Sequence, residues 1–361
     1  MNSFAIYRMP HAQCCTLVEG EALTLPSLAT LHTLTGFIVA PFVASPQTPI
    51  VVIRPDRPAR SVQEGEQIAL PTNLFTHLPL GEKLGEGLPS YAADFATFHR
   101  ALDKGEFQKL VLARQCSVPR RPERHPADVF QLACRLYPRM FIALVSTPIT
   151  GTWLIASPEI LIEHNADHWH TIALAGTKRE GQQQDWTHKD MEEQRHVATY
   201  IAECLKHRAH DIVQEGPYTV GAAHLLHLRT DFTFKLNDGE QLGSVVEALH
   251  PTPAVCGLPK AEALDFIVEH EHAPRTYYSG FMGPVAINEG DGPQTHLYVS
   301  LRCMQITQHD DRLYAGGGLL PESEEQTEWL ETEAKMETMR RLLDVEGGGW
   351  KVEGGRRIKM R

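Results

Sequence analysis

The chain has 361 residues, long enough to bury a substantial core as two ordinary domains or as one large β-rich domain. Its 42% hydrophobic and 22% charged residues are ordinary for a globular protein. No run approaches the roughly 18 uninterrupted apolar residues of a membrane span, and 34 basic against 45 acidic side chains, a formal charge of -11, offer no basic field to nucleic acid.

The opening MNSFAIYRMPHAQCC lacks the basic segment and apolar stretch of a secretory signal, so the expected location is the cytoplasm. Seven cysteines (Cys14, Cys15, Cys116, Cys134, Cys204, Cys256 and Cys303) are scattered, odd in number and without CxxC spacing. They read as ordinary thiols, not as a disulfide framework or a zinc site. The histidines are dispersed, with no HExxH.

Residues 1–89 read as short strands between Pro-rich turns, such as TGFIVAPFV and TPIVVIRPD, and carry no motif with attached chemistry. From Ser90 the amphipathic stretch YAADFATFHRALDKGEF predicts a helix broken at Lys104-Gly105, followed by a strand, KLVLARQCSV, that opens on Lys109. A lysine at a strand start is ordinarily solvent-exposed. The runs MFIALVST, GTWLIAS, EILIEHN and HWHTIAL, with turns at 148–151 and 165–167, predict an antiparallel meander. A second meander, GFMGPVAI, THLYVSLRCMQIT and RLYAGGG, occupies 279–318.

The expected fold is therefore α+β, with large antiparallel sheets and helices packed outside. With no linker in view, residues 1–361 read as a single domain. Residues 90–344 bear the motifs, and the Gly-rich, basic stretch 345–361 is expected to be a flexible tail.

Two predicted helices carry clustered carboxylates. In THKDMEEQRHVATYIAECLKH, Thr187 and Asp190 fit a capping pair, and Asp190 and Glu193 share a face of the first turn. In SEEQTEWLETEAKMETMRRLL, Ser323 and Gln326 fit a capping box, and Glu328, Glu331 and Lys335 lie along one face. Taken singly, each is a solvated helix face. If the two faces converge, they make a site for a hard divalent cation, suited to Mg²⁺ above Zn²⁺.

From Lys109 to Leu343 the segments KLVLAR, SPEILIE, LAGTKREG, KDMEEQRHV, LHPTPAVCGLPK, YYSGFMG, VSLRCMQI, LYAGGGLL and ETEAK follow in order. In this the chain resembles the chorismate-utilising enzymes, which include anthranilate, aminodeoxychorismate, isochorismate and salicylate synthases. The resemblance covers about two thirds of the chain. It implies two large antiparallel sheets stacked as a sandwich, helices outside, and an active site in a cleft. It further implies Mg²⁺ held by Glu193 and Glu331, with Asp190 and Glu328 as outer carboxylates. Arg302, Lys335 and the backbone around Gly176, Thr177, Gly316 and Gly318 would hold the carboxylates of chorismate, and His250 would contact a ring hydroxyl or help to place Glu159.

Among the family's reactions, Lys109 matches the position where water-using members carry lysine, as the base, and Glu159 matches the acid that assists departure of the C4 hydroxyl. Ala175 stands where aminodeoxychorismate synthases carry a lysine, which disfavours covalent amine transfer. The resemblance thus implies isochorismate formation, for menaquinone or a siderophore. Salicylate synthesis, in which pyruvate is then eliminated, is the alternative, and a non-catalytic binder of such acids is a second. The expected partner is the small molecule chorismate, with neither nucleic acid nor membrane, and the chain is expected to be a monomer or a weak homo-oligomer.

Overall fold

A computed structural model describes residues 3–63, 66, 91–121, 123–165, 167–181, 185–288, 292–344, 350–353 and 356–359. The strands of its main body, in chain order, are Ser3–Arg8 (β1), Cys14–Leu25 (β2), Gly36–Ala40 (β3), Ile50–Pro55 (β4), Arg60–Gln63 (β5), Lys109–Pro119 (β6), Phe141–Thr147 (β7), Gly151–Ser157 (β8), Ile160–Asn165 (β9), His168–Arg179 (β10), Ala209–Ala222 (β11), Leu225–Leu236 (β12), Gly257–Leu258 (β13), Phe281–Val285 (β14), Ile287–Asn288 (β15), Pro293–Val299 (β16), Cys303–Ile306 (β17) and Asp310–Leu319 (β18). The helices are Tyr91–Asp103 (α1), Pro126–Leu136 (α2), His188–Lys206 (α3), Leu242–Leu249 (α4), Lys260–His270 (α5) and Glu325–Asp344 (α6). None of the described helices is long and apolar enough to cross a membrane.

The strand pairings among the described residues are antiparallel, as both meanders predict, and the fold is α+β. The strands join into one hydrogen-bonded run. One half is β13-β6-β18-β17-β8-β7-β1-β2. The other is β4-β3-β14-β16-β9-β10-β12-β11. The long strand β2 connects them, pairing with β1 through Thr16–Gly20 and with β4 through Gly20–Leu25.

The pleat explains the continuous apolar runs. In β7, Phe141, Ala143 and Val145 face a central core, while Ile142 and Leu144 face a second core shared with α2 and α6. In β10, Ile172 and Leu174 reach the same central core, and Ala173 and Ala175 face a third beneath α3 and α4. Phe141 of one half stacks on Tyr298 of the other with ring centroids 4.3 Å apart.

Two expectations change. The run THLYVSLRCMQIT is two strands, because the chain breaks at Ser300–Arg302: β16 stays in one half, β17 crosses to β8 in the other, and Arg302 adopts φ +46°. Ser323 does not cap α6 in the predicted way. Its hydroxyl accepts from the Leu320 amide at 3.0 Å, and the helix begins at Glu325. Thr187 and Asp190 do form the capping box of α3. Within the C-terminal stretch, Trp350–Glu353 (β19) pairs with Arg356–Lys359 (β20).

Candidate active site

Lys109, the first residue of β6, is wholly enclosed, contrary to the usual exposure of a lysine at a strand start. Its neighbours account for this: Leu258 of β13 pairs with it on one side, and β18 covers the strand on the other. The ammonium finds one charged partner, Glu193 of α3, with Nζ 3.0 Å from Oε1. Gly318 of β18 makes room for that pair. A Cβ there would stand 2.1 Å from Glu193 Oε1 and 2.9 Å from Lys109 Cε.

Beside this pair lies a pocket lined by Glu159, the backbone of Gly176 and Thr177, Gly316 and Gly318, and by Arg302 and Lys335. Glu159 follows the end of β8 and is buried. Burial pushes its carboxyl up to about 7, against the pull of Lys109, Lys335 and Arg302, with Thr252 nearby. This is the environment expected of a carboxyl that remains protonated near neutral pH.

Arg302 owes its position to the break between β16 and β17. A non-glycine residue with positive φ is costly, about 1–3 kcal/mol, and such residues concentrate at functional sites. Burial pulls the guanidinium down to about 10, still cationic. One amino group donates to Nε2 of His227 at 2.9 Å, and His227 Nδ1 in turn donates to the Gly176 carbonyl at 2.7 Å. Burial, followed by the adjacent Arg302, pushes His227 down to about 3, so the ring is neutral and able to accept. The other amino nitrogen of Arg302, Nη1, is buried and has no hydrogen-bond partner among the described residues. Gly176, at φ +66°, holds the left-handed turn that presents its carbonyl.

Lys335 of α6 donates to the Gly316 carbonyl at 2.9 Å and pairs with Glu331 at 2.6 Å. Burial pushes the Glu331 carboxyl up, but Lys335 and Lys189 outweigh it and hold it below its ordinary value. Glu328 pairs with Lys189, yet burial and the nearby Glu331 push it up to about 7. Lys189 is pulled down by burial and raised overall by Glu328, Glu193 and Glu331 together, so the carboxylates of α3 and α6 do converge, around one ammonium.

Among the described residues, no group of three or more His, Cys, Asp or Glu side chains is gathered closely enough to grip a metal ion. The donor chemistry nevertheless fits a hard cation. Two buried carboxylates, Glu193 and Glu328, and the half-buried Glu331 lie around a positive charge, and among the described residues Glu328 Oε2 is enclosed without a close hydrogen bond. An ion bound there would replace contacts now made by lysine ammoniums.

Of the sequence-predicted residues, His250 lies outside the pocket lining, and Asp190 stands beside the Gly176 turn with its carboxylate engaged in a helix cap. Asp190 turns its carboxylate onto the Thr187 hydroxyl and amide, at 2.6 and 3.0 Å, closing the α3 cap. His250 is not among the pocket-lining residues. Its ring faces the Pro41 carbonyl at 3.2 Å and stands edge-on to Phe281, while Thr252, two residues on, lies near Glu159. Lys189, His227 and Thr252 escape the sequence reading. For His227 the available signal is a histidine inside the apolar strand LLHLRTDF, which a packing histidine satisfies equally well.

Residues 82–344 match the model of the chorismate binding enzyme family. Isochorismate synthase EntC of Escherichia coli K12 is 32% identical over 206 residues, covering 54% of this chain and 52% of the relative. The salicylate biosynthesis isochorismate synthase of Pseudomonas aeruginosa is 32% identical over 266 residues, covering 68% and 52%. The chain thus spans about half the length of the curated relatives it matches. In solved structures, the menaquinone-specific isochorismate synthase MenF of Escherichia coli superposes with a TM-score of 0.74 over 95% of this chain and 89% of that one, at 21% identity, a likeness of fold. With the family model spanning most of its length, the chain belongs to the chorismate binding enzymes.

Proposed function

We propose that the protein is a Mg²⁺-dependent isochorismate synthase, which interconverts chorismate and isochorismate. The observation that carries the reading is the placement of an enclosed lysine, Lys109, and a buried carboxyl held near 7, Glu159, beside a pocket furnished with Arg302 and Lys335.

Lys109, acting in its neutral amine form, takes a proton from the water whose oxygen bonds to C2, and Glu159 gives a proton to the C4 hydroxyl as its carbon–oxygen bond breaks. Water enters and water leaves, so no external reactant is consumed. Arg302 and Lys335, with the amides near Gly176, Thr177, Gly316 and Gly318, hold the substrate's two carboxylates and exclude bulk water. His227 fixes the Arg302 guanidinium and leaves Nη1 for the substrate. Mg²⁺ on Glu193 and Glu331, with Glu328 beside them, would supply positive charge against the substrate's ring carboxylate and offset the pull of Glu193 on Lys109.

The test is to incubate the purified protein with chorismate and Mg²⁺, with an EDTA control, and to separate the products by chromatography. Isochorismate at equilibrium with chorismate, without pyruvate, supports the reading. Salicylate with pyruvate would make the protein a salicylate synthase, and no turnover would leave it a binder.

A further inference from the structure

In the pairing of β10 with β12, Ala175 stands opposite Leu228 and Lys178 opposite Leu226. Two residues of β10, Gly176 and Thr177, therefore face the single His227 of β12, which makes a β-bulge. Gly176 supplies its positive φ, +66°. The residues that the bulge re-aims line the pocket with Arg302, and the regular ladder does not hold them. One support is His227, whose Nδ1 donates to the Gly176 carbonyl at 2.7 Å.

A second support is Trp186, the residue before the capping box that starts α3. Three contacts fix its half-buried indole. Nε1 donates to the Thr219 hydroxyl of β11 at 2.9 Å. Lys178 Nζ lies over the ring, 4.2 Å from its centre, a cation–π contact from the strand that carries the bulge. The ring edge closes on the bulge itself: a Cβ on Gly176 would stand 3.4 Å from Trp186 Cζ3 and 3.3 Å from Asp190 Cβ. One side chain thus ties β11, β10 and the start of α3 together around Gly176.

We propose that Trp186 is a positioning residue, which braces the Gly176–Thr177 bulge in the conformation whose backbone amides receive a carboxylate of the substrate. The proposal rests on the reading of the pocket as a chorismate site. Trp186 is not among the residues that line that pocket, so it acts through the bulge and not by touching substrate. Lys109 on β6 and Glu159 after β8 belong to other strands, so loss of the brace weakens substrate binding more than it slows the chemical step.

The experiment compares Trp186→Ala, Trp186→Phe and Thr219→Val with wild type, each as the full chain, by two measurements. Hydrogen–deuterium exchange of the free protein, read by mass spectrometry, is expected to quicken in Trp186→Ala at the ladder amides on either side of Gly176, with peptides from β7 and β8 unchanged. Trp186→Phe keeps a ring edge against Gly176 and should stay near wild type. Thr219→Val removes only the acceptor of the indole and should give a smaller change of the same sign. Steady-state turnover of chorismate with Mg²⁺ should show KM raised by about tenfold or more in Trp186→Ala, the loss of one hydrogen bond to a charged group, with kcat changed less and recovery in Trp186→Phe. Exchange at the bulge identical to wild type in both Trp186→Ala and Thr219→Val overturns the proposal, and so does an unchanged KM or a change in kcat alone in Trp186→Ala. The exchange measurement needs no substrate: if the wild type fails to convert chorismate, the proposed function falls, while exchange still decides whether Trp186 braces the bulge. Thr219→Val carries the test if the alanine variant fails to fold.

Discussion

The ammonium of Lys109 and the carboxylate of Glu193, 3.0 Å apart and enclosed between β6, β18 and α3, form one electrostatic unit. A residue read as the base of the reaction and a residue read as a metal ligand are therefore coupled, and neither can be altered without changing the charge felt by the other. This coupling shapes the predictions.

Lys109→Gln removes the base and keeps a hydrogen-bonding side chain toward Glu193. Isochorismate formation is expected to fall by about 10²–10⁴-fold, the usual contribution of a positioned acid or base, with an unchanged circular dichroism spectrum. Lys109→Met leaves Glu193 without its partner, and its melting temperature should fall further, since breaking a buried pair costs about 3–5 kcal/mol. Wild-type turnover in the glutamine variant would remove Lys109 from the mechanism.

Glu159 must be protonated to act as the acid, and its carboxyl is pushed up to about 7 by burial. Turnover is therefore expected to decline as pH rises through about 7, and Glu159→Gln should be slow at every pH and lack that limb. The stability effect has the same sign. The folded value lies above the ordinary 4.5, so the contribution is full below that pH and is lost as pH rises through about 7. Melting curves of wild type and Glu159→Gln should diverge across that window; parallel curves would count against the assignment.

Removal of either proposed ligand should abolish Mg²⁺ binding. Isothermal titration of Mg²⁺ into Glu193→Ala and Glu331→Ala is expected to show no saturable heat, against a clear isotherm for wild type, and each variant should be inactive. Normal binding by either one would show that the carboxylates gathered around Lys189 serve only as its ion-pair partners.

His227→Ala deprives Arg302 of its acceptor. A hydrogen bond to a charged group contributes about 1.5–3 kcal/mol, so KM for chorismate should rise by about tenfold or more with a smaller change in kcat. His227→Gln, whose amide oxygen can accept, should recover part of the loss. A change in kcat alone would place His227 at the chemical step.

Gly318→Ala tests the space for the ion pair. The added methyl would enter the Glu193 carboxylate, so activity should fall at least tenfold while the melting temperature shifts modestly, because the clash falls on a side-chain end and not on backbone. A fully active alanine variant would show that Glu193 can occupy another position.

Much of this protein is legible from local pattern. The alternation and turns of MFIALVST and GTWLIAS predict the hairpin Phe141–Thr147 with Gly151–Ser157, and the Thr187–Asp190 pair predicts the start of α3. These are short-range effects, set by side-chain period and capping chemistry. The ordered motifs likewise pointed to the chorismate-utilising family, in keeping with the match over 82–344.

What local pattern could not reach depends on contacts distant in sequence. THLYVSLRCMQIT reads as one strand because nothing in its composition marks the crossing at Arg302; only the competing partners β14 and β9 on one side and β8 and β18 on the other divide it. Burial of Lys109 required β13 and β18 to close over it, and the neutral state of His227 required its burial in the assembled fold, with Arg302 beside it. Composition, periodicity and motif order thus determined the fold class and the chemical types available. Tertiary structure alone decided which charges are dehydrated and paired, since charge desolvation depends on atoms brought from every part of the chain.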